Sequence, residues 1–243
     1  MHMNRSAARV PVFVVVLGLS VSIPAFSQSA AEILSAMDTA MNFPEGTMVL
    51  SIEDVKAGGS GRRLEARVLY ALDAGTLIEF SAPEREKGKR VLLIGDSMWI
   101  GSPSVSRPLR LSGKDAFMGT SFTNDDVMNF TKADDYEARI QSSSADGWTL
   151  ELTARKKSLP YARIIAEVSR DFLPVRMLMH ALSGKEAKRI EFSEVRAFEG
   201  KLRPATMTVT DAMTAGNRTI VRFLSITSAA VHRARLSPTG FMK

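Results

Sequence analysis

Residues 80–122 read FSAPEREKGKRVLLIGDSMWIGSPSVSRPLRLSGKDAFMGTSF. Short strand-like runs at Arg90–Ile94, Met98–Gly101 and Pro108–Leu111 are separated by Gly and Pro turn signals. An apolar loop follows, in which Phe117, Met118 and Phe122 surround Gly119. Nothing in the block has the spacing of a catalytic constellation. Upstream, Met48–Ile52, Leu64–Leu72 and Thr76–Ser81 read as strands, the first two joined through Gly58-Gly59-Ser60-Gly61. Downstream, runs begin at Tyr136, Trp148, Ala162, Val175, Lys188, Thr206 and Thr219. Trp148 to Thr153 alternates cleanly, and Ser183-Gly184-Lys185 and Glu199-Gly200-Lys201 are hairpin turns.

Two stretches break the strand series. Ser29-Ala30-Ala31-Glu32 is a capping box, with Ile33, Leu34, Met37 and Met41 following at helical spacing up to Pro44. Between Lys114 and Asp135, Thr123–Asp126 can cap a short helix carrying Val127, Met128 and Phe130. The pattern predicts a mainly β domain: one large curled antiparallel sheet of about eleven strands with two helical pieces. So wide a sheet must twist and curl, and two short helices cover it incompletely. An apolar concavity is therefore expected, of the kind that holds apolar ligands. Its candidate lining is Phe80, Trp99, Leu150, Leu152, Met177, Met179, Phe192 and Met207. The candidate lid is Phe117, Met118, Phe122, Val127 and Phe130, which either opens or permanently plugs the sheet's open end.

The N-terminus reads as an export signal over residues 1–27. Arg5 and Arg9 precede the apolar run Val10–Ala25, and small residues at Ala25 and Ser27 predict cleavage after Ser27. The alternative is an uncleaved anchor, although the run falls short of the roughly 20 residues a spanning helix needs. Residues 28–243 then form one domain, with no linker or repeat to divide it. The chain has no cysteine, which removes disulfides, thiolate nucleophiles and an acylated N-terminal cysteine. Export without disulfides points to the periplasm. The net charge of +6 loses two units with the leader, so an anionic lipid surface is a better partner than nucleic acid.

Candidate chemistry is sparse. Beyond the leader the histidines are His180, on a strand pattern, and His232, in a basic tail; neither sits in a catalytic or metal-binding motif. No catalytic residue, metal or cofactor is expected. Asp125-Asp126 and Asp134-Asp135 read as helix starts and turns. Arg85, Lys87, Lys89 and Arg90 form a basic cluster that is either a solvated face or a surface for membranes or acidic partners. The methionines are either ordinary core filling or the lining of a plastic apolar interior.

The chain resembles the outer-membrane lipoprotein-sorting (LolA-like) family in its broader branch, from about Ala31 to Ile226. The resemblance is carried by Phe80-x-x-Pro83-x-x-x-Lys87-Gly88, Gly95-Asp96-x-Met98-Trp99, Pro103 and Arg107 to Leu111. Gly119-x-Ser121-Phe122, Asp125-Asp126, Leu150-x-Leu152-Thr153-Ala154, Asp171-x-Leu173-Pro174-x-Arg176, Glu191-Phe192 and Pro204-x-x-Met207 continue it. It implies an unclosed β-barrel with helices as a lid over an apolar cavity. It also implies a non-enzymatic, monomeric periplasmic carrier, with acyl chains of lipoproteins or another lipid as cargo. The implied partners are an inner-membrane transporter and an outer-membrane acceptor. Two other readings are weighed: an accessory that docks on an envelope transporter without carrying lipid, and an envelope hydrolase built around His180.

Overall fold

The computed structural model describes residues 28–59, 61–105, 107–128, 133–214 and 216–242. The leader over 1–27, its cleavage after Ser27 and the lid residue Phe130 lie outside the described residues. The first helix, α1 (Ala30–Met41), starts on the expected capping box. The Glu32 backbone N–H donates to Ser29 Oγ at 3.2 Å, and the Ser29 N–H donates to Glu32 Oε2 at 2.8 Å. Ile33, Leu34 and Met37 are buried, each contributing about 1.5–3 kcal/mol of hydrophobic stabilisation when fully buried.

The strands are β1 (Glu45–Val55), β2 (Gly61–Ala71), β3 (Gly75–Ala82), β4 (Arg90–Ile94), β5 (Ser97–Gly101) and β6 (Leu109–Arg110). After the interruption come β7 (Tyr136–Ser143), β8 (Gly147–Ala154), β9 (Arg163–Ser169) and β10 (Pro174–His180). The last three are β11 (Glu186–Phe198), β12 (Lys201–Asp211) and β13 (Arg218–Thr227). All lie in one antiparallel sheet of 13 strands, ordered β6-β5-β4-β3-β2-β1-β13-β12-β11-β10-β9-β8-β7. The count exceeds the expected eleven or so. Every strand therefore pairs with its sequence neighbours, except at two places. The first strand pairs with the last, and β6 and β7 are left as the free edges.

The β1–β13 seam depends on close backbone approach at Gly46. A Cβ there would stand 2.2 Å from the Thr227 carbonyl oxygen, a distance no side chain tolerates. Closing that seam puts the chain's two sheet-forming halves side by side. It also means that the stretch breaking the strand series, residues 111–135, starts at one free edge and ends at the other. The interruption in the sequence coincides with the gap in the barrel.

Alternation along each strand divides the apolar residues between two faces. Leu64, Ala66, Val68 and Tyr70 of β2 face the concave interior with Leu150 and Leu152 of β8, Met177 and Met179 of β10, and Val209 of β12. Leu69, Leu77 and Leu92 face the opposite way and form a second, convex cluster. The C-terminal tail covers this cluster with Val231, Leu236 and Phe241, the last fully buried. Arg235 anchors the tail to Glu79 at 2.7 Å, and Arg233 to Glu45 at 3.0 Å. His232 lies exposed on it, as expected of a solvated tail.

Candidate functional site

The concave interior is not completely filled. A cavity of about 300 Å³ remains between α1, the strands around the β1–β13 seam and the interrupting segment. Met37 and Met41 of α1, Met48, Leu50 and Ile52 of β1, and Val221 and Phe223 of β13 form one side. Met177, Phe192 and Met207 close the other, and Phe117, Phe122 and Val127 form the cover. The wall is apolar except for a few groups, chiefly Asp38, Asn42, Thr76, Asp126 and Arg203.

The cover is built locally. A 3₁₀ turn at Phe117–Gly119 is followed by the short helix α2 (Asn124–Met128). Met118 and Gly119 take φ values of +49° and +72°, which folds the tip tightly enough for the Phe117 N–H to donate to the Phe122 carbonyl at 2.8 Å. Phe117 is thereby held against Phe80, with ring centroids 6.4 Å apart. The tip crosses the barrel to the seam. The Ser121 N–H donates to Thr219 Oγ1 at 2.8 Å, and that hydroxyl donates to buried Asp54 at 3.1 Å. Lys56 Nζ donates to the Gly119 carbonyl at 3.1 Å.

A buried polar cluster fastens the cover to β11 and to the loop before β9. Lys188 of β11 pairs with the Asp126 carboxylate, and both side chains are under one-tenth exposed. The Tyr161 hydroxyl donates to Asp126 Oδ1 at 2.5 Å, and the Thr123 N–H donates to Oδ2 at 2.6 Å. Burial, then the Asp126 charge, push the Tyr161 phenol far above its ordinary range. Burial with the neighbouring Asp126 raises Asp125. Burial likewise raises Asp38, partly offset by the Asn42 hydrogen bond.

At the far end of the cavity, α1 ends without a basic residue of its own in its last turn. Two cations of β12 serve it instead. Lys201 Nζ reaches the carbonyls of Thr39 and Asn42, and Arg203 Nη1 donates to the Met41 carbonyl at 2.9 Å. Positive charge at this end is favoured by the helix dipole. Arg203 is buried, and its pKa is pushed down to about 10 by that burial, against the pull of Tyr70.

Of the expected lining residues, Met177, Phe192 and Met207 stand in the cavity wall. Phe80, Leu150, Leu152 and Met179 face the same interior but are packed into its core rather than the wall. Trp99 requires a correction. Met98 is fully buried on the concave side, so its neighbour Trp99 faces outward and packs into the convex cluster beneath the tail. Of the lid candidates, Phe117, Phe122 and Val127 meet the cavity. Met118 instead lines an open polar pocket with Arg62 and Glu86.

Sequence reasoning located α1 and the seam strands but did not assign them, or Arg203, to the cavity lining. Parity was the available signal for Arg203, since it lies two and four residues from Ala205 and Met207 on one strand face. The basic cluster is internally neutralised: Arg85 and Lys89 pair with Glu86, Lys87 with Glu84, and Arg90 with Glu79. His180 is half-buried at the end of β10, with Nδ1 unpartnered. Among the described residues no group of three or more His, Asp or Glu is placed to hold a metal, and no helix is long and apolar enough to cross a membrane.

An unclosed antiparallel barrel, covered by α1 and a mid-chain segment, is the LolA-type fold. A LolA superfamily protein from Nitrosomonas europaea superimposes with a TM-score of 0.75 at 22% identity, covering 87% of this chain and 98% of that one. A DUF1329 family protein from Desulfovibrio piger gives 0.77 at 20% identity, covering 86% and 95%. An outer membrane lipoprotein-sorting protein domain from Vibrio parahaemolyticus gives 0.76 at 17% identity, covering 88% and 98%. No curated protein matches the chain. A family model described as "Uncharacterized protein" matches residues 73–236, and the chain belongs to that family.

Proposed function

We propose that this protein is a non-enzymatic carrier of acyl chains in the bacterial periplasm, moving lipoprotein or other lipid cargo between the inner and outer membranes. The observation that carries the reading is the unfilled apolar cavity beneath a cover made of large apolar side chains. A folded interior normally packs to the density of an organic crystal. Empty apolar volume of about 300 Å³ is costly to maintain, and it lies at the small end of the range of ligand sites. The solved structures that share the fold include one described as a lipoprotein-sorting domain, which supports the same class of cargo.

In this reading the leader over 1–27 is removed after Ser27. Phe117, Phe122 and Val127 swing away to admit the chain, and Met177, Phe192 and Met207 receive it. Methionine suits such a wall because its unbranched thioether adapts to different chain shapes. Phe80, Leu150, Leu152 and Met179 support the wall from behind.

Titration of the protein from residue 28 onward with a fluorescent fatty-acid probe tests the reading. Saturable binding, displaced by unlabelled lipid, is expected. Absence of saturable binding by the folded protein would leave the accessory role, docking on an envelope transporter without cargo. Mass spectrometry of lipid co-purified from the native host identifies the cargo.

A further inference from the structure

Arg203 is a buried cation without an ion-pair partner among the described residues. Its side chain is 3% exposed and stands in the cavity wall. Nη1 is occupied by the Met41 carbonyl, and the guanidinium carbon lies 4.4 Å over the Phe223 ring. Nε is buried with no hydrogen-bond partner. Among the described residues no carboxylate pairs with the group. The other buried cation of this interior, Lys188, contrasts with it, because Lys188 has Asp126.

Buried charges are ordinarily paired, and buried donors are ordinarily bonded. The helix-capping role uses Nη1 alone. It leaves the Nε–Nη2 edge, where two N–H groups project in parallel and match the spacing of two carboxylate or phosphate oxygens. A second unsatisfied donor lies nearby. The Tyr70 hydroxyl, on the same concave face, is buried without a partner, and the Arg203 charge partly offsets the rise that burial gives its pKa.

We propose that Arg203 anchors the anionic head of a single-chain amphiphile whose acyl tail fills the cavity. The proposal rests on the carrier reading and narrows it. The head is a carboxylate or a phosphate, held on the free guanidinium edge. The tail lies along Leu50, Met177 and Met207. A single chain is specified by size, since the cavity's 300 Å³ is at the lower limit for ligand sites and leaves no room for two or three chains under a closed cover. An anion here also removes the penalty of the unpaired cation, so ligand binding and Arg203 burial support each other.

Calorimetric titration of the protein from residue 28 onward with palmitate, 1-hexadecanol and lysophosphatidate separates the alternatives. Palmitate and hexadecanol share a chain length and differ in head charge. At least one of the two anions is expected to bind about tenfold or more tightly than hexadecanol, the scale of a charge-assisted bond. Preference for palmitate marks a free fatty acid as the source, and preference for lysophosphatidate marks a lysophospholipid. Arg203→Met is expected to bring the ratio of anion affinity to hexadecanol affinity down to about one. Should Arg203→Met fail to fold, Arg203→Lys, which keeps charge but loses the fork, is expected to show a reduced preference. Equal affinity of the wild-type protein for all three ligands would overturn the anchor while leaving the carrier reading intact. Binding of none of them would overturn both.

Discussion

Lys188 on β11 and Asp126 in the cover helix, 62 residues apart in the chain, form a buried ion pair between the barrel wall and its cover. The free edges β6 and β7 do not hydrogen-bond to each other, so the barrel is not closed by its sheet. The cover is instead held over the interior by this pair, by the Tyr161 hydrogen bond to the same carboxylate, and by the Ser121–Thr219 contact two strands away. Polar ties of this kind hold a cover shut without filling the space under it.

Removing one partner of such a pair leaves the other charged, buried and uncompensated. Lys188→Met is expected to cost about 3–5 kcal/mol, read as a lower midpoint in urea. Combining it with Asp126→Asn removes the orphaned charge and is expected to recover part of that loss. A double variant as unstable as the single one would show that the pair is not what holds the cover.

The cover should be the least stable part of the barrel. Its segments are short and held by a few polar bonds, whereas β8 lies between two strand partners. Amide exchange over residues 113–128 is expected to be faster than over Trp148–Thr153, and to slow when a fatty acid is bound. Equal protection with and without ligand, at the level of β8, would identify a fixed plug. Phe122→Asp is expected to weaken ligand retention and leave the sheet's exchange unchanged, because it places a charge on the closing face.

The C-terminal tail should contribute strongly to stability although it lies outside the barrel. Phe241 is fully buried in the convex cluster with Leu236 and Val231. Phe241→Ala is expected to cost about 3–5 kcal/mol, the usual range for a large aromatic removed from a packed site. Thermal unfolding would read it as a lowered Tm. Ligand affinity should hold, because the concave cavity lies on the opposite face of the sheet.

All three tyrosines are shifted in one direction. Burial raises Tyr70, pushes Tyr136 up to about 12, and carries Tyr161 further still. A phenol with a raised folded-state pKa contributes stability in full below its unfolded value near 10, and that stability is lost as pH climbs through the folded value. Arg203 and Lys201 oppose the trend, since burial lowers the pKa of each and their deprotonation relieves a desolvated charge at alkaline pH. Three raised phenols against two lowered cations, with Tyr161 shifted furthest, predict net alkaline destabilisation above pH ~10. At pH ~10 tyrosinate absorbance should be largely absent in the folded protein and about half developed in denaturant. Ordinary titration of the tyrosines in the folded protein would contradict their burial.

Much of the architecture follows from local pattern. The capping box at Ser29 and Glu32 set the start of α1, and hydrophobic alternation with Gly and Pro punctuation located each strand and the break between Lys114 and Asp135. These signals are local because helix caps, turns and period-two alternation depend on neighbours a few residues apart. Three features belong to the tertiary structure. Pairing of β1 with β13 is a contact between the two ends of the sheet-forming chain, and it makes the mid-chain break the gap in the barrel. Parity decides between faces with a single-residue shift, which is why Trp99 lies outside and Met98 inside. Arg203 is an ordinary strand cation by sequence; burial beside the end of α1, with no carboxylate paired to it among the described residues, is what gives it an unsatisfied charge. Long-range pairing and desolvation are properties of the assembled fold, so no window of sequence contains them.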